Sequence, residues 1–254
     1  MIIGTRKKSI LARTLFYLAF LLLLILLFLG VAVRFDILNP LDAFRNTIII
    51  ALYGGSALVI LSLLALVPVS RNHKVRGTAQ LLFTLLIGAA LAGPVLYLQK
   101  TGGGVPPIHD ITTDTRNPPV FTVLQNERTA QENSLDYEGE AVASQQLAAY
   151  PHIRPLMTKL APARAFDMAL ATARDMGWRI ALEDKAGGRI EASDSTMWFR
   201  FVDDMVIIVS PQDEGSRIDL RSVSRVGRSD LGANAKRIAA FMTLFGQKSA
   251  SPAP

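Results

Sequence analysis

Three uncharged apolar runs, each long enough to cross a bilayer as a helix, constrain this chain more than any other feature. Residues 15–33 read LFYLAFLLLLILLFLGVAV, 48–69 read IIIALYGGSALVILSLLALVPV and 79–98 read AQLLFTLLIGAALAGPVLYL. About 20 helical residues span the hydrocarbon core, and lipid leaves no partner for an unpaired backbone amide, so the runs predict three membrane helices. A secretory signal has an apolar region of about 7 to 15 residues closed by small residues. The first run instead continues to Val33 and meets Arg34 and Phe35, and is read as an uncleaved helix. Gly54, Gly55 and Ser56, and Ala89 with Gly93, are small residues of the kind that let helix backbones approach in lipid. Tyr97, near a run's end, is expected at the interface. No ionisable residue lies inside a run, so the groups that carry ions or protons through a membrane are missing, and a packed three-helix anchor is expected.

The flanking cations set the expected orientation. Arg6, Lys7, Lys8 and Arg13 precede or open the first run, and Arg71, Lys74 and Arg76 separate the second from the third, whereas Arg34 and Arg45 between the first two are balanced by Asp36 and Asp42. Positive segments stay in the cytoplasm, so three crossings deliver the remainder to the other side. The expected setting is a bacterial inner (plasma) membrane with a cytoplasmic N-terminus and an extracytoplasmic C-terminal domain. The formal charge of +6 in 254 residues first invites a nucleic-acid reading. Residues 1–99, however, hold nine basic and two acidic side chains (+7), leaving eighteen and nineteen (−1) for the rest. The excess is an orientation signal, and no nucleic-acid partner is expected. With no cysteine in the chain, disulfides, thiolate nucleophiles and thiolate zinc sites are excluded.

Residues 1–99 are therefore read as the anchor, 100–140 as a Gly/Pro-rich and acidic linker, 141–248 as a soluble domain and 249–254 as a disordered tail. The linker opens TGGGVPPIHDITTDTRNPP, which combines glycine slack with proline stiffness. His109, Asp110 and Asp114 have suitable atoms for a divalent cation but no second histidine at ligand spacing, so no metal and no cofactor is expected. Beyond the linker a short helix is expected around 141–150. In ARAFDMALATARDM (163–176), Phe166, Met168, Ala169, Leu170 and Ala173 fall near one helical stripe, stopped by Gly177. Period-two segments then follow at Trp178–Leu182, Ile190–Ala192, Met197–Phe201 and Arg217–Val223, with a uniformly apolar strand at Met205–Ser210 and polar turns that include Asp203-Asp204 and Asp213-Glu214-Gly215. A last helix is expected from an Asp230 cap to Gly246. The predicted fold class is α+β: three N-terminal transmembrane helices, then a two-layer domain with a five-stranded antiparallel meander sheet packed on helices. The uncovered sheet face would present Arg179, Glu183, Arg189, Glu191, Trp198, Arg200, Arg217, Asp219 and Arg221, read either as a ladder of cross-strand ion pairs or as a surface for an acidic or aromatic partner.

The loop SVSRVGRSDLG (222–232) could hold an anion through free amides at the helix start, but Ala233-Asn234 stands where a phosphate-binding loop needs Lys-Ser/Thr. No Gly-x-Ser-x-Gly elbow exists, and the three histidines lie at 73, 109 and 152, outside the expected sheet; no catalytic residue is assigned. Tyr150-Pro151, Arg154-Pro155-Leu156, Gly177-Trp178, Gly188 to Ala192, Thr196 to Phe199, Asp203-Asp204 and above all Ser224-Arg225-x-Gly227-x-Ser229-Asp230-Leu231-Gly232-x-Asn234-Ala235 resemble the domain-of-unknown-function family numbered 1499. The run His109 to Asp114 followed by Pro118-Pro119 is similar to the lead-in of its longer, membrane-anchored members, although the cysteine many shorter members carry there is missing. The resemblance implies a shared domain and no mechanism.

It also makes 222–235 the leading site, with Arg221, Arg225, Arg228, Ser229, Asp230 and Asn234 as candidate ligand-binding residues beside Trp198 and Arg200. The expected function is a membrane-tethered binding or accessory module for an envelope protein, lipid or anionic ligand. Its partners would be the lipid bilayer and another membrane or envelope protein. The alternatives are a cation-assisted hydrolase using Asp203, Asp204, Asp213 or Glu214, and a purely structural subunit of a membrane complex.

Overall fold

The computed structural model describes residues 7–72, 74–101 and 104–250, so residues 1–6 (Arg6 among them), His73, Gly102, Gly103 and 251–254 lie outside the described residues. The chain divides into two compact units, Met1–Gly104 with Trp198–Arg200, and Val105–Met197 with Phe201–Pro254.

The first unit contains β1 (Lys7–Lys8), α1 (Ile10–Arg34), α2 (Pro40–Arg71), β2 (Val75–Arg76) and α3 (Thr78–Thr101). These three helices are long and apolar enough to cross a membrane, and each contains one of the runs read from the sequence. Their starts are encoded locally. The Ser9 hydroxyl accepts from the Ala12 amide, and the Asn39 side-chain Oδ1 accepts from the Leu41 amide, with Pro40 at the first helical position. Pro68 and Pro94 sit inside α2 and α3, which lipid-embedded helices tolerate. Leu24, Leu64 and Leu86 are exposed, as lipid-facing side chains must be. Helices α2 and α3 cross at glycine: a Cβ at Gly55 would stand 2.8 Å from the Gly88 carbonyl oxygen, and one at Gly88 would stand 2.7 Å from that of Gly55. Gly93, by contrast, faces open space, so the small-residue contact of α3 is made at Gly88. Lys7 and Lys8 pair in parallel with Val75 and Arg76, which ties the basic segment before α1 to the basic segment after α2.

The second unit is an antiparallel sheet with helices on one face: β3 (Asp110–Thr112), α4 (Glu140–Ala149), β4 (Leu156–Thr158), α5 (Pro162–Asp175), β5 (Arg179–Asp184), β6 (Arg189–Ser195), β7 (Val202–Gln212), β8 (Gly215–Ser224) and α6 (Ala233–Ala250). The order is β3-β8-β7-β6-β5, with β4 also pairing β8. The α+β expectation therefore stands, with a different set of strands. Four strands, β5 to β8, form the meander, and the three-residue β3 and β4 share the remaining edge of β8. Residues 196–201, read as a strand from their alternation, form the β6–β7 turn, in which the Thr196 amide donates to the Phe201 carbonyl. Asp203 and Asp204, read as a turn, lie inside β7.

The core fits the layer expected from the stripe on α5. Phe166, Ala169, Leu170 and Ala173 of α5 and Ile238, Phe241 and Phe245 of α6 pack on Ile190, Met205, Ile207, Ile218 and Leu220. Trp178 stacks on Phe241 at 5.6 Å between ring centroids. Gly177, at φ +78°, turns the chain from α5 into β5, a conformation that costs glycine nothing.

Candidate functional site

Strand side chains alternate between faces, so β8 sends Ile218 and Leu220 to the helices and Arg217, Asp219 and Arg221 to the opposite side. That side is not open. Residues 105–139, read from glycine and proline as a tether, lie across it as an ordered strap. Phe121 and Leu124 are buried on Val206 and Val223, and a 3-10 helix spans Leu124–Glu127. The Gln146 side chain of α4 accepts from the Thr112 amide at 2.9 Å and donates to its carbonyl at 2.6 Å, which closes the outer edge of β3 against further pairing.

The strap is held by buried charge. Arg221 is 2% exposed. Its guanidinium donates to both Asp110 carboxylate oxygens at 3.0 and 2.7 Å and to the carbonyls of Pro119 and Leu135 at 3.1 and 2.7 Å. It also lies over the rings of Phe121 and Tyr137 at 5.6 and 5.4 Å from their centroids. Burial raises the Tyr137 hydroxyl to about 12, and the neighbouring Asp110 carboxylate adds to the rise.

Glu191, fully buried, accepts from the amides of Thr122, Val123 and Leu124 at 2.6, 2.9 and 2.9 Å and from the Thr122 hydroxyl at 2.6 Å. A carboxylate at this position satisfies the free donors of the 3-10 turn. Asp204 receives Arg128 of the strap at 2.8 Å and Arg225 at 2.9 Å. Its neighbour Asp203 points to the helix layer and meets Arg237 of α6 at 2.6 Å. Arg217 reaches Asp114 at 2.6 Å and Asp219 at 2.7 Å. The charged face is thus a set of ion pairs, several of them between sheet and strap.

The signature loop divides between architecture and surface. Asp230 accepts from the amides of Gly232 and Asn234 at 2.7 and 2.9 Å, which caps α6; burial raises its carboxyl despite those bonds. Asn234, fully buried, donates to the Ser224 hydroxyl and the His109 carbonyl, both at 2.9 Å, and accepts from the Ser222 hydroxyl at 2.6 Å. The Ser229 hydroxyl accepts from the Leu231 amide at 3.3 Å. Arg225 is kept protonated by Asp204 and Glu127, whose pull outweighs the effect of burial. Trp198 and Arg200 do not join this group. They belong to the first unit, where Arg200 stands 3.4 Å from Asp36.

Arg228 is different. It is exposed, and among the described residues no hydrogen bond or ion pair engages its guanidinium. It lines a cleft of about 220 Å³ with His109, Asp110, Glu138 and Gln145, walled also by Ile108 and Val142. The His109 imidazole likewise has no hydrogen-bond partner among the described residues, while its carbonyl holds Asn234 and Ser224. The Asp110 carboxylate is already taken up by Arg221. The cleft therefore offers a guanidinium, an imidazole, a carboxylate and an amide around an apolar wall, a set suited to binding a small charged group.

Among the described residues no group of three or more His, Asp or Glu side chains is arranged to hold a metal ion. Of the acidic residues considered for a hydrolase, Asp203 and Asp204 are bound to arginines, and Asp213 and Glu214 are exposed at the β7–β8 turn. The residues that sequence reasoning missed, Glu191 as a buried acceptor and Arg128, Glu138 and Gln145 as neighbours of the loop, come from the charged sheet face, from the strap and from α4 beside it. The similarity of His109 to Asp114 to a family lead-in was the one signal that this segment belongs with the domain.

No curated protein matches the chain significantly. A family model described as a protein of unknown function (DUF1499) matches residues 110–245, from the first residue of β3 to the last turns of α6. Since that covers more than half of the 254 residues, the chain belongs to the DUF1499 family of proteins of unknown function.

Proposed function

We propose that the protein is a membrane-tethered binding module, its domain on the extracytoplasmic side, that takes a ligand or partner through an anionic group in the cleft at Arg228. One observation carries this reading. Arg221, Arg225 and Arg237 each face carboxylates, whereas among the described residues neither Arg228 nor the His109 imidazole beside it in the cleft has a hydrogen-bond or ion-pair partner. An exposed guanidinium offers five donors in a planar fork and matches phosphate or carboxylate geometry. The side of the membrane is supported by Lys7, Lys8 and Arg13 and by Arg71, Lys74 and Arg76, basic segments that share one side because β1 pairs with β2.

The test is thermal unfolding of the full-length protein in detergent, with inorganic phosphate as the probe at constant ionic strength. A ligand that binds only the folded state raises its stability. Phosphate is expected to raise the midpoint of the wild type and to leave Arg228→Ala unmoved. Equal shifts in both, or none in the wild type, contradict the reading.

A further inference from the structure

The β6–β7 turn carries Thr196-Met197-Trp198-Phe199-Arg200-Phe201. Met197 is 81% exposed and Trp198 43%. A tight turn between paired strands needs small or polar residues, so a methionine and three aromatic rings here are not explained by turn chemistry. Nor are they explained by the domain core, which is filled by Trp178, Phe166, Phe241 and Phe245.

Trp198–Arg200 group instead with the three apolar helices in the first unit. There the Phe199 ring meets Phe44, in the second turn of α2, edge-on at 5.4 Å between centroids. The Trp198 indole lies against Gly30, about one turn before the end of α1, so closely that an added Cβ would overlap it. The end of a membrane helix is the depth at which lipid headgroups begin, and tryptophan is enriched there because its ring is apolar while its N–H requires a polar partner. Arg200, at φ +52°, is held beside Asp36 of the α1–α2 connection.

We infer that Trp198, at the tip of this turn, is a lipid contact, seated in the interfacial layer of the bilayer that the three helices cross. The occupant of this exposed apolar surface is the membrane itself, because Trp198 shares a unit with the three apolar helices and stands near a helix end.

The chain holds two tryptophans, which makes the test direct. Full-length protein is reconstituted in phosphatidylcholine vesicles containing lipids spin-labelled near the acyl carbonyl or near the chain end. Wild type, Trp198→Phe and Trp178→Phe are compared by tryptophan emission. The shallow label is expected to quench the wild type and Trp178→Phe more than the deep label does, and the shallow quenching is expected to disappear in Trp198→Phe. If Trp178→Phe fails to fold, the difference between wild type and Trp198→Phe still isolates Trp198. Quenching that is the same in wild type and Trp198→Phe overturns the inference. So does Trp198 emission quenched by aqueous iodide and not by lipid labels, or shielded from both.

Discussion

Asp110 and Arg221 form a two-pronged ion pair, 3.0 and 2.7 Å, with side chains only 6% and 2% exposed, and they join a strand in the strap to the strand β8 at the centre of its contacts. A buried pair is costly to assemble and costlier to break, because removing one partner leaves the other charged and without solvent. Arg221→Met and Asp110→Leu are each expected to lose about 3 to 5 kcal/mol of unfolding free energy. The double replacement is expected to lose less than the sum, since no orphan charge remains. Denaturant unfolding of the full-length protein in detergent checks this, and strictly additive losses would refute the coupling.

The crossing of α2 and α3 makes a second contrast. Gly88→Leu places a side chain against the Gly55 backbone and is expected to cost about 3 kcal/mol or more through overpacking. Gly93→Leu, five residues on in the same helix, enters open space and is expected to be tolerated. Thermal unfolding in detergent separates the two, and equal effects would contradict the crossing.

Acid should loosen the strap. The Arg179 guanidinium, joined by Arg225, holds the Glu127 carboxyl below its ordinary value despite partial burial. Burial pushes Asp114 up, but the amides of Asn117 and Arg116 and the Arg217 guanidinium outweigh it and leave its carboxyl lowered. A lowered folded value means that the native state binds fewer protons than the unfolded chain. The stability from these groups is complete above their ordinary values and is lost as pH falls through the folded ones. Asp230 works in the opposite sense: burial raises it, so its contribution is complete below its ordinary value and lost as pH rises through the folded one. Unfolding midpoints measured downward from neutral pH are expected to fall less steeply in Glu127→Gln and more steeply in Asp230→Asn than in the wild type.

The absence of cysteine in the sequence allows topology to be read with single replacements. Lys74→Cys lies between α2 and α3 and Glu214→Cys in the exposed β7–β8 turn. A membrane-impermeant maleimide applied to the extracytoplasmic face is expected to label Glu214→Cys and to spare Lys74→Cys until the membrane is opened. The reverse pattern would invert the proposed orientation.

Much of the architecture was legible because its causes are local. The three uncharged runs, the stripe of Phe166 and Leu170, the stop at Gly177 and the cap at Asp230 each depend on residues a few positions apart. What escaped depends on distant partners. Two adjacent carboxylates read as a turn, yet Asp203 and Asp204 stay within a strand because alternation sends them to opposite layers, one to Arg237 and the other to Arg128 and Arg225. The strap read as a tether because its glycines and prolines are visible in the sequence, whereas the pairing of Asp110 with Arg221 spans 111 residues. The Met197–Phe201 alternation matches a strand only because three apolar turn side chains, Met197, Phe199 and Phe201, happen to share a period of two. Arg228 was among the residues singled out in the signature loop, but His109 and Glu138, its companions in the cleft, came from the segment taken for a linker.

The claim that Arg228 is the ligand-facing residue of the signature loop is tested most directly by what accompanies the protein. Full-length wild type and Arg228→Ala are purified side by side in gentle detergent, matched for thermal stability, and their bound small molecules, lipids and peptides are identified by mass spectrometry after denaturation. The account predicts a species bearing a phosphate or carboxylate group with the wild type and its loss from the variant. The same species recovered equally from both would contradict it.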